Sequence, residues 1–273
     1  MRILAIGDFH GKSPHINKII KKEKIDLVLS TGDFFPFSYR KIWFKYSYRT
    51  GISLSEIIGK NKLKELILKD LNSGEKVLKE LNNLNIPVLT TFGNADYSII
   101  SDSSDFKKSE WKWENQDFFS KIIEKYPKIK RIDYSYQIVD DYIFIGSSGS
   151  SFPGHVKSKN YKKYKAKLEK IFEKFKKKKI IFLFHNMPYK TKLDKIKDKN
   201  AEKIVYNKHY GSKMIKRIIE KYHPVLGIGG HFHENQGKDK IKKTIIVNTG
   251  SAADNKYAVI DLNKKIKIKF KKK

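Results

Sequence analysis

Residues 2–11 read RILAIGDFHG. The apolar run at the start predicts a short buried strand, and the glycine that follows ends it. Asp8 and His10 come next, two residues apart. In extended backbone both side chains point to one side of the chain, while Phe9 points to the other side, toward the core. The stretch therefore predicts a strand that carries two polar side chains at its carboxyl end.

The following residues repeat this arrangement. An amphipathic helix is predicted first, and residues 26–30, DLVLS, then predict a second strand that leads to Asp33. Such a strand–helix–strand unit has parallel strands and a right-handed crossover. Because ligands gather at the carboxyl ends of parallel strands, we expect Asp33 to lie beside Asp8 and His10.

Three later apolar runs also end in side chains that can bind a metal ion. They are VLTTF (88–92) with Asn94, IIFLF (180–184) with His185, and VLGI (225–228) with His231 and His233. The last two histidines are two residues apart, like Asp8 and His10, so each pair is expected to hold one ion. The sequence thus predicts seven metal-binding side chains at one edge of the fold. The alternative, independent capping or core hydrogen bonding, requires all seven positions to coincide by chance.

The types of these side chains indicate which ions they suit. The chain has no cysteine, so thiolate sites are excluded and ligation must use nitrogen and oxygen. Four imidazoles, two aspartates and a carboxamide exceed what one ion needs, and one shared carboxylate can bridge two cations. We predict two divalent metal ions, with manganese preferred and iron or zinc as alternatives.

In chain order, GDFHG, TGD, GNAD, a histidine after a buried strand, and GGHFH resemble the calcineurin-like metallophosphoesterase superfamily. Residues 209–251 are similar to the small prokaryotic Icc-like phosphoesterases in particular. The resemblance implies an α/β fold, a four-layer α/β/β/α sandwich of two mixed sheets in a single domain over residues 1–273. It also implies a dinuclear-metal-dependent phosphoesterase, in which a metal-bridging hydroxide attacks a phosphodiester or phosphomonoester.

The resemblance also assigns roles to the seven side chains. Asp33 would bridge the two ions and, with Asn94, would also act in catalysis. The ligands it implies are Asp8, His10, Asp33 and His233 for the first ion, and Asp33, Asn94, His185 and His231 for the second.

The sequence departs from the family pattern at Ala95. Many relatives carry a histidine there, which helps the leaving group depart by donating a proton or a hydrogen bond. His209 is the main candidate to replace it as a catalytic residue, and the alternative is that His209 caps the helix that follows it. Asp96 either fixes the turn at Asn94 or holds another base.

Two segments, residues 36–75 and 98–130, are predicted to be cap-like inserts. Residues 37–49, FSYRKIWFKYSYR, interleave aromatic rings with basic residues. They could stack bases and bind phosphates, although a lid or a dimer contact is favoured. The net charge of +30 allows a nucleic-acid partner, but lysine is spread along the whole chain. A nuclease for single strands and a non-catalytic scaffold are therefore the alternative functions.

The remaining expectations concern location and secondary structure. The N-terminus is too short and polar for a signal peptide and no apolar run approaches about 20 residues, so we expect a cytoplasmic protein without a membrane partner. Helices are predicted over 53–71 and 75–84. Residues 244–248, 256–261 and 266–270 are predicted to be antiparallel strands.

Overall fold

The apolar runs of the sequence form the strands of two six-stranded sheets. The computed structural model describes residues 1–48, 50–99, 111–148, 153–198, 203, 205–263 and 265–271. Within these residues the strands are β1 (Arg2–Ile6), β2 (Leu27–Ser30), β3 (Val88–Thr90), β4 (Ile129–Arg131), β5 (Tyr136–Val139), β6 (Tyr142–Gly146), β7 (Lys179–Leu183), β8 (Leu226–Gly229), β9 (Gly237–Ile241), β10 (Thr244–Asn248), β11 (Tyr257–Asp261) and β12 (Lys267–Lys271). The first sheet has the order β12-β11-β1-β2-β3-β4, and the second has the order β5-β6-β7-β8-β10-β9.

Helices cover the outer face of each sheet. They are α1 (Ile16–Glu23), α2 (Arg40–Ile42), α3 (Leu54–Ile58), α4 (Lys60–Asn82), α5 (Phe118–Ile123), α6 (Lys159–Lys174) and α7 (Lys213–Tyr222). Residues Trp43–Tyr48 continue α2 as a π-helical segment. None of the helices in the described ranges has both the length and the apolar composition needed to cross a membrane.

Three apolar clusters separate the layers. One lies between the sheets, where Leu29 of β2 and Leu183 of β7 belong to the same buried cluster. A second joins the first sheet to α1, α4 and α5, and a third joins the second sheet to α6 and α7. The predicted four-layer α/β/β/α sandwich of two mixed sheets is confirmed.

The strand directions bring the polar strand ends to one edge. In the first sheet β1, β2 and β3 run parallel, with Ile6 opposite Ser30 and Ser30 opposite Thr90. In the second sheet β7 and β8 are also parallel. The predicted parallel pairing of β1 and β2 is confirmed.

The helix α4 is longer than the sequence pattern indicates, because residues 53–71 and 75–84 were expected to form separate helices. Ser73 and Gly74 look like a helix break, yet α4 runs through them, and only the short α3 precedes it. A Cβ added to Gly74 would lie 2.2 Å from Cδ1 of the fully buried Phe35 ring. Gly74 therefore allows α4 to pack closely on Phe35.

The three predicted C-terminal strands form, and each has an antiparallel neighbour, but they divide between the two sheets. β11 and β12 are antiparallel in the first sheet, whereas β10 lies in the second sheet, parallel to β8. β10 pairs antiparallel with β9, which the sequence analysis missed because its residues, GKDKI, are mostly polar. The short edge strand β4 was missed as well. The insert predicted over residues 98–130 lies partly outside the described residues.

The close contact at Gly74 makes a test of packing. Alanine favours helix by about 1 kcal/mol over glycine. At this position, however, we expect Gly74→Ala to lower the free energy of unfolding by about 1–3 kcal/mol, because its methyl group overlaps the Phe35 ring. Urea denaturation measures the change, with Asn72→Ala on the exposed face of α4 as the matched control. An unchanged or higher stability for Gly74→Ala would refute the packing argument.

Candidate metal centre

All seven predicted side chains meet at the edge where the strands of both sheets end. Asp8 and His10 follow β1, Asp33 follows β2 and Asn94 follows β3 in the first sheet. His185 follows β7, and His231 and His233 follow β8 in the second. The donor atoms form two groups, Asp8 with His10 and His233, and Asp33 with His185 and His231, and within each group they lie within 4.8 Å of one another.

The two groups differ from the pairing that sequence spacing suggests. His233 joins Asp8 and His10, while His231 joins the other group, so the last two histidines do not hold one ion together. Asp8, His10 and His231 have φ angles of 54°, 46° and 70°. Their backbone is therefore left-handed rather than extended, and each turn redirects one side chain.

In the first group, Nε2 of His233 lies close to two other atoms that can accept a hydrogen bond. Nε2 of His233 lies 3.2 Å from Nε2 of His10 and 3.1 Å from Oδ1 of Asp8. One ring nitrogen carries at most one proton, so a single hydrogen bond cannot satisfy both contacts. A cation among the three atoms would satisfy all of them.

In the second group, a larger number of acceptor atoms converge on one ring nitrogen. Nδ1 of His185 donates to the carbonyl oxygen of Thr31 at 2.9 Å, so Nε2 of the neutral ring carries a lone pair. That Nε2 lies 2.9 Å from Oδ1 of Asn94, 3.2 Å from Nδ1 of His231 and 3.4 Å from Oδ2 of Asp33. Acceptor atoms that converge in this way fit a divalent ion with mixed nitrogen and oxygen ligands.

The carboxylate of Asp33 belongs to the second group and also faces the first. Its Oδ2 is 3.4 Å from Nε2 of His185 and 3.9 Å from Nε2 of His10. Its Oδ1 accepts a hydrogen bond of 2.8 Å from the backbone N–H of Ala95. One oxygen is thus fixed by the chain, and the other faces both groups.

The charges in the cluster shift the pKa values of its members. Burial alone would raise the pKa of Asp8, but the charge and hydrogen bond of His233 hold it well below its usual range. Burial opposes the protonation of His233, yet the Asp8 carboxylate raises its pKa to about 8. Burial lowers the pKa of His231, and the positive charge of Arg40 contributes.

Backbone strain and close packing also mark this region. Asp33 has a φ of 55°, which gives four of the seven side chains a left-handed backbone at a cost of about 1–3 kcal/mol each. A Cβ on Gly93 would lie 2.1 Å from Oδ1 of Asp33, and one on Gly230 would lie 2.1 Å from Oδ2 of Asp8. The two glycines allow the loops to close around the carboxylates.

Comparison with known proteins agrees with this geometry. A family profile described as metallophosphoesterase, calcineurin superfamily, matches residues 1–272. The chain belongs to the metallophosphoesterases of the calcineurin superfamily. The recognition made from the sequence motifs is confirmed, and with it the assignment to a family of hydrolases.

Three similar proteins resemble this metallophosphoesterase at low sequence identity. An uncharacterized protein of Methanocaldococcus jannaschii is 28% identical over 267 residues, which cover 97% of this chain and 93% of that protein. One crystal structure superposes with a TM-score of 0.71 at 18% identity, covering 99% of this chain and 98% of its own. A dimetal phosphatase from Danio rerio superposes with a TM-score of 0.51 at 8% identity, covering 99% and 95%. At these identities the two structures show the fold.

Asp96 organises the metallophosphoesterase centre from behind. Its buried carboxylate accepts hydrogen bonds from the backbone N–H groups of Asp33 and Gly93, both at 2.8 Å, and of Phe34 at 2.7 Å. Burial and the nearby Asp33 charge raise its pKa to about 7 against these bonds. Asp96 therefore fixes the turn before Asn94, which is one of its two expected roles, and also fixes the turn of Asp33.

His209 is not part of the cluster. The structure gives it no hydrogen bond or ring contact to any of the seven side chains. Its Nδ1 lies 2.6 Å from Oδ1 of Asp194, a fully buried carboxylate that the sequence analysis missed. The same carboxylate accepts from the backbone N–H groups of Lys190 and Gly211. The expected helix cap is instead Ser212, whose side chain accepts from the backbone N–H of Ile215.

The role of Asp96 can be tested through metal affinity. In the Asp96→Asn variant, a side-chain NH₂ group replaces one carboxylate oxygen and faces backbone N–H groups, which cannot accept a hydrogen bond. The loops that carry Asp33 and Asn94 would therefore shift. We expect manganese affinity to fall by about 10–100-fold, the usual range for residues that orient ligands. Titration with chelator-buffered manganese measures it, with the exposed Asp141→Asn as control. Equal affinities for Asp96→Asn and wild type would contradict this role.

Proposed function

We propose that this chain is a dinuclear-metal-dependent phosphoesterase that hydrolyses a phosphodiester or a phosphomonoester. The observation that carries the proposal is Oδ2 of Asp33, which lies between two groups of converging acceptor atoms. A carboxylate in this position suits a bridge between two cations. The family assignment supports the same chemistry, and so does the likeness in fold to the dimetal phosphatase.

Each side chain then has a stated role. Asp8, His10 and His233 would hold one ion, Asn94, His185 and His231 the other, and Asp33 both. The ions, manganese first and iron or zinc as alternatives, would supply Lewis acidity at these residues. Asn94 contributes an amide oxygen where a carboxylate would add a further negative charge.

The remaining step is protonation of the leaving group, which Ala95 cannot perform. We propose His209 as the proton donor, supported by its contact with Asp194, which orients the ring and fixes Nδ1. The His209 loop also packs on the segment that follows His185, since the backbone N–H of Ser212 donates to the carbonyl oxygen of Met187. This contact with the segment after His185 supports the proposed role of His209.

A scaffold function is disfavoured because all seven ligand positions carry residues that can bind metal. The nuclease alternative is one case of the proposed activity, in which the phosphodiester belongs to a single-stranded nucleic acid. The cytoplasmic location and the single domain over residues 1–273 stay predictions.

The metal requirement makes the first test. Protein stripped with a chelator should not hydrolyse bis(p-nitrophenyl) phosphate or p-nitrophenyl phosphate, and manganese should restore activity to one or both. Asp33→Asn should lower turnover by more than about a hundredfold, the upper end for residues that merely support ligands. Turnover and bound metal are measured together. Near wild-type activity of Asp33→Asn at full metal loading would refute the assignment.

The proton-donor role of His209 makes a second test. His209→Ala should slow alkyl phosphate esters, whose leaving groups need a proton, by about 10²–10⁴-fold, and should affect p-nitrophenyl esters far less. Ala95→His in the His209→Ala background should restore part of the loss. The exposed His15→Ala is the control. If His209→Ala changes the hydrolysis rate of neither ester class, His209 is not the proton donor that replaces the family histidine.

A further inference from the structure

The exposed apolar side chains of this protein are concentrated in one region. Seven of the ten large apolar side chains that the described residues expose lie between positions 42 and 68. Phe44, Tyr46 and Tyr48 of the π-helical segment are among them, with 36%, 42% and 65% of their surface exposed. Exposed apolar patches mark interaction sites more often than scattered residues do. We call residues 40–48 the aromatic surface.

The aromatic surface is also basic. Residues 34–55 contain four basic residues and no acidic residue. Arg40, Lys41 and Lys45 form no ion pair with any carboxylate that the structure describes. The Arg40 guanidinium lies 5.2 Å from the centre of the Phe44 ring, and Nζ of Lys45 lies 4.7 Å from that of Tyr46. Rings and cations therefore alternate on one face.

The exposed rings are anchored rather than loose. Phe44 and Tyr48 contact Trp43 at centroid distances of 4.9 and 5.2 Å, and contact each other at 5.2 Å. Trp43 in turn packs on Phe37, 5.8 Å away, which packs on the buried Tyr39 at 4.8 Å. This chain of ring contacts ties the surface to the core and holds the outer rings as a platform.

The platform begins at the rim of the metal centre. The Phe35 carbonyl oxygen faces Nδ1 of His10 at 3.4 Å. The buried Asp70 of α4 accepts a hydrogen bond from the Ser38 backbone N–H at 3.0 Å. It also accepts one at 3.1 Å from the hydroxyl of Tyr97, which lies three residues after Asn94. The base of the insert is thereby held between the loops that carry His10 and Asn94.

We propose that the aromatic surface binds single-stranded nucleic acid, with bases stacked on Phe44 and Tyr48 and phosphates paired with Arg40, Lys41 and Lys45. This deepens the proposed function, because a strand bound there would pass the metal centre with a phosphodiester. Stacking platforms lined by basic residues are how proteins bind single strands without sequence preference. Binding by itself does not require the phosphoesterase activity.

Two other occupants fit the surface less well. A second copy of the chain would bring the same unpaired positive charges against one another, which opposes association. An anionic membrane would satisfy the charges and the apolar groups, but it would not use the anchored arrangement of stacked rings. Both are outcomes of the test below.

The test is equilibrium binding of a fluorescein-labelled oligothymidylate of about 15 nucleotides, in EDTA so that no strand is cleaved. Wild type should bind, and Phe44→Ala with Tyr48→Ala should raise Kd about tenfold or more. The exposed Tyr206→Ala is the control for loss of a ring. Circular dichroism and manganese content confirm that each variant is folded.

A second experiment asks whether Arg40, Lys41 and Lys45 contribute more to binding than lysines elsewhere on the surface. Replacing Arg40, Lys41 and Lys45 by glutamine should lower the slope of log affinity against log salt by about 2, since each phosphate contact contributes about 0.7. Replacing the exposed Lys163, Lys167 and Lys170 of α6 by glutamine removes the same charge from the opposite outer layer, and should leave the slope nearly unchanged.

The outcomes separate this inference from the proposed function. Equal effects of the two charge variants, or no effect of the ring variant, would overturn the inference even if the protein hydrolyses phosphate esters. So would binding to phosphatidylserine vesicles without binding to the oligonucleotide, or self-association that the ring variant abolishes. Oligonucleotide binding that depends on these residues would support it even if the metal-stripped protein could not be reactivated.

Discussion

The position of the Asp33 carboxylate is the constraint on which the centre depends. One oxygen is fixed by the backbone N–H of Ala95, and the other faces both His10 and His185. His10 follows a strand of the first sheet and His185 a strand of the second, so the carboxylate can face both only where the two sheets end together. The site therefore requires the four-layer arrangement, which brings the strand ends of both sheets together. Left-handed turns, and glycines at positions without room for a Cβ, allow the loops to pack closely around the Asp8 and Asp33 carboxylates.

Much of this could be predicted from the sequence because the signals are local. Short apolar runs predict buried strands, and a polar residue at the end of each run is visible without any knowledge of contacts. The parallel order of β1 and β2 follows from the handedness of the crossover between them. Seven side chains at one edge follow from these two facts. Their division into two groups does not, because left-handed turns at Asp8, His10 and His231 override the two-residue spacing.

The features that sequence analysis missed are contacts between distant segments. Asp96 was expected to fix the turn at Asn94, but its hydrogen bonds to backbone groups about 60 residues away, like the contact of Asp194 with His209, leave no periodic pattern. Gly74 looked like a helix break because the Phe35 ring that requires it lies in a different segment. The polar strand β9 carries no apolar signal, and β10 joined the second sheet through pairing that no local pattern specifies. Ala95 is instructive in the same way, since its side chain is inert while its backbone fixes Asp33.

The central claim is that two cations share Asp33, and anomalous X-ray diffraction tests it most directly. Crystals grown with manganese and measured at its absorption edge should show two peaks about 3.5–4 Å apart. One peak should lie beside Asp8, His10 and His233, the other beside Asn94, His185 and His231, with Oδ2 of Asp33 between them. A single peak at saturating manganese, or two peaks that Asp33 does not contact, would contradict the account.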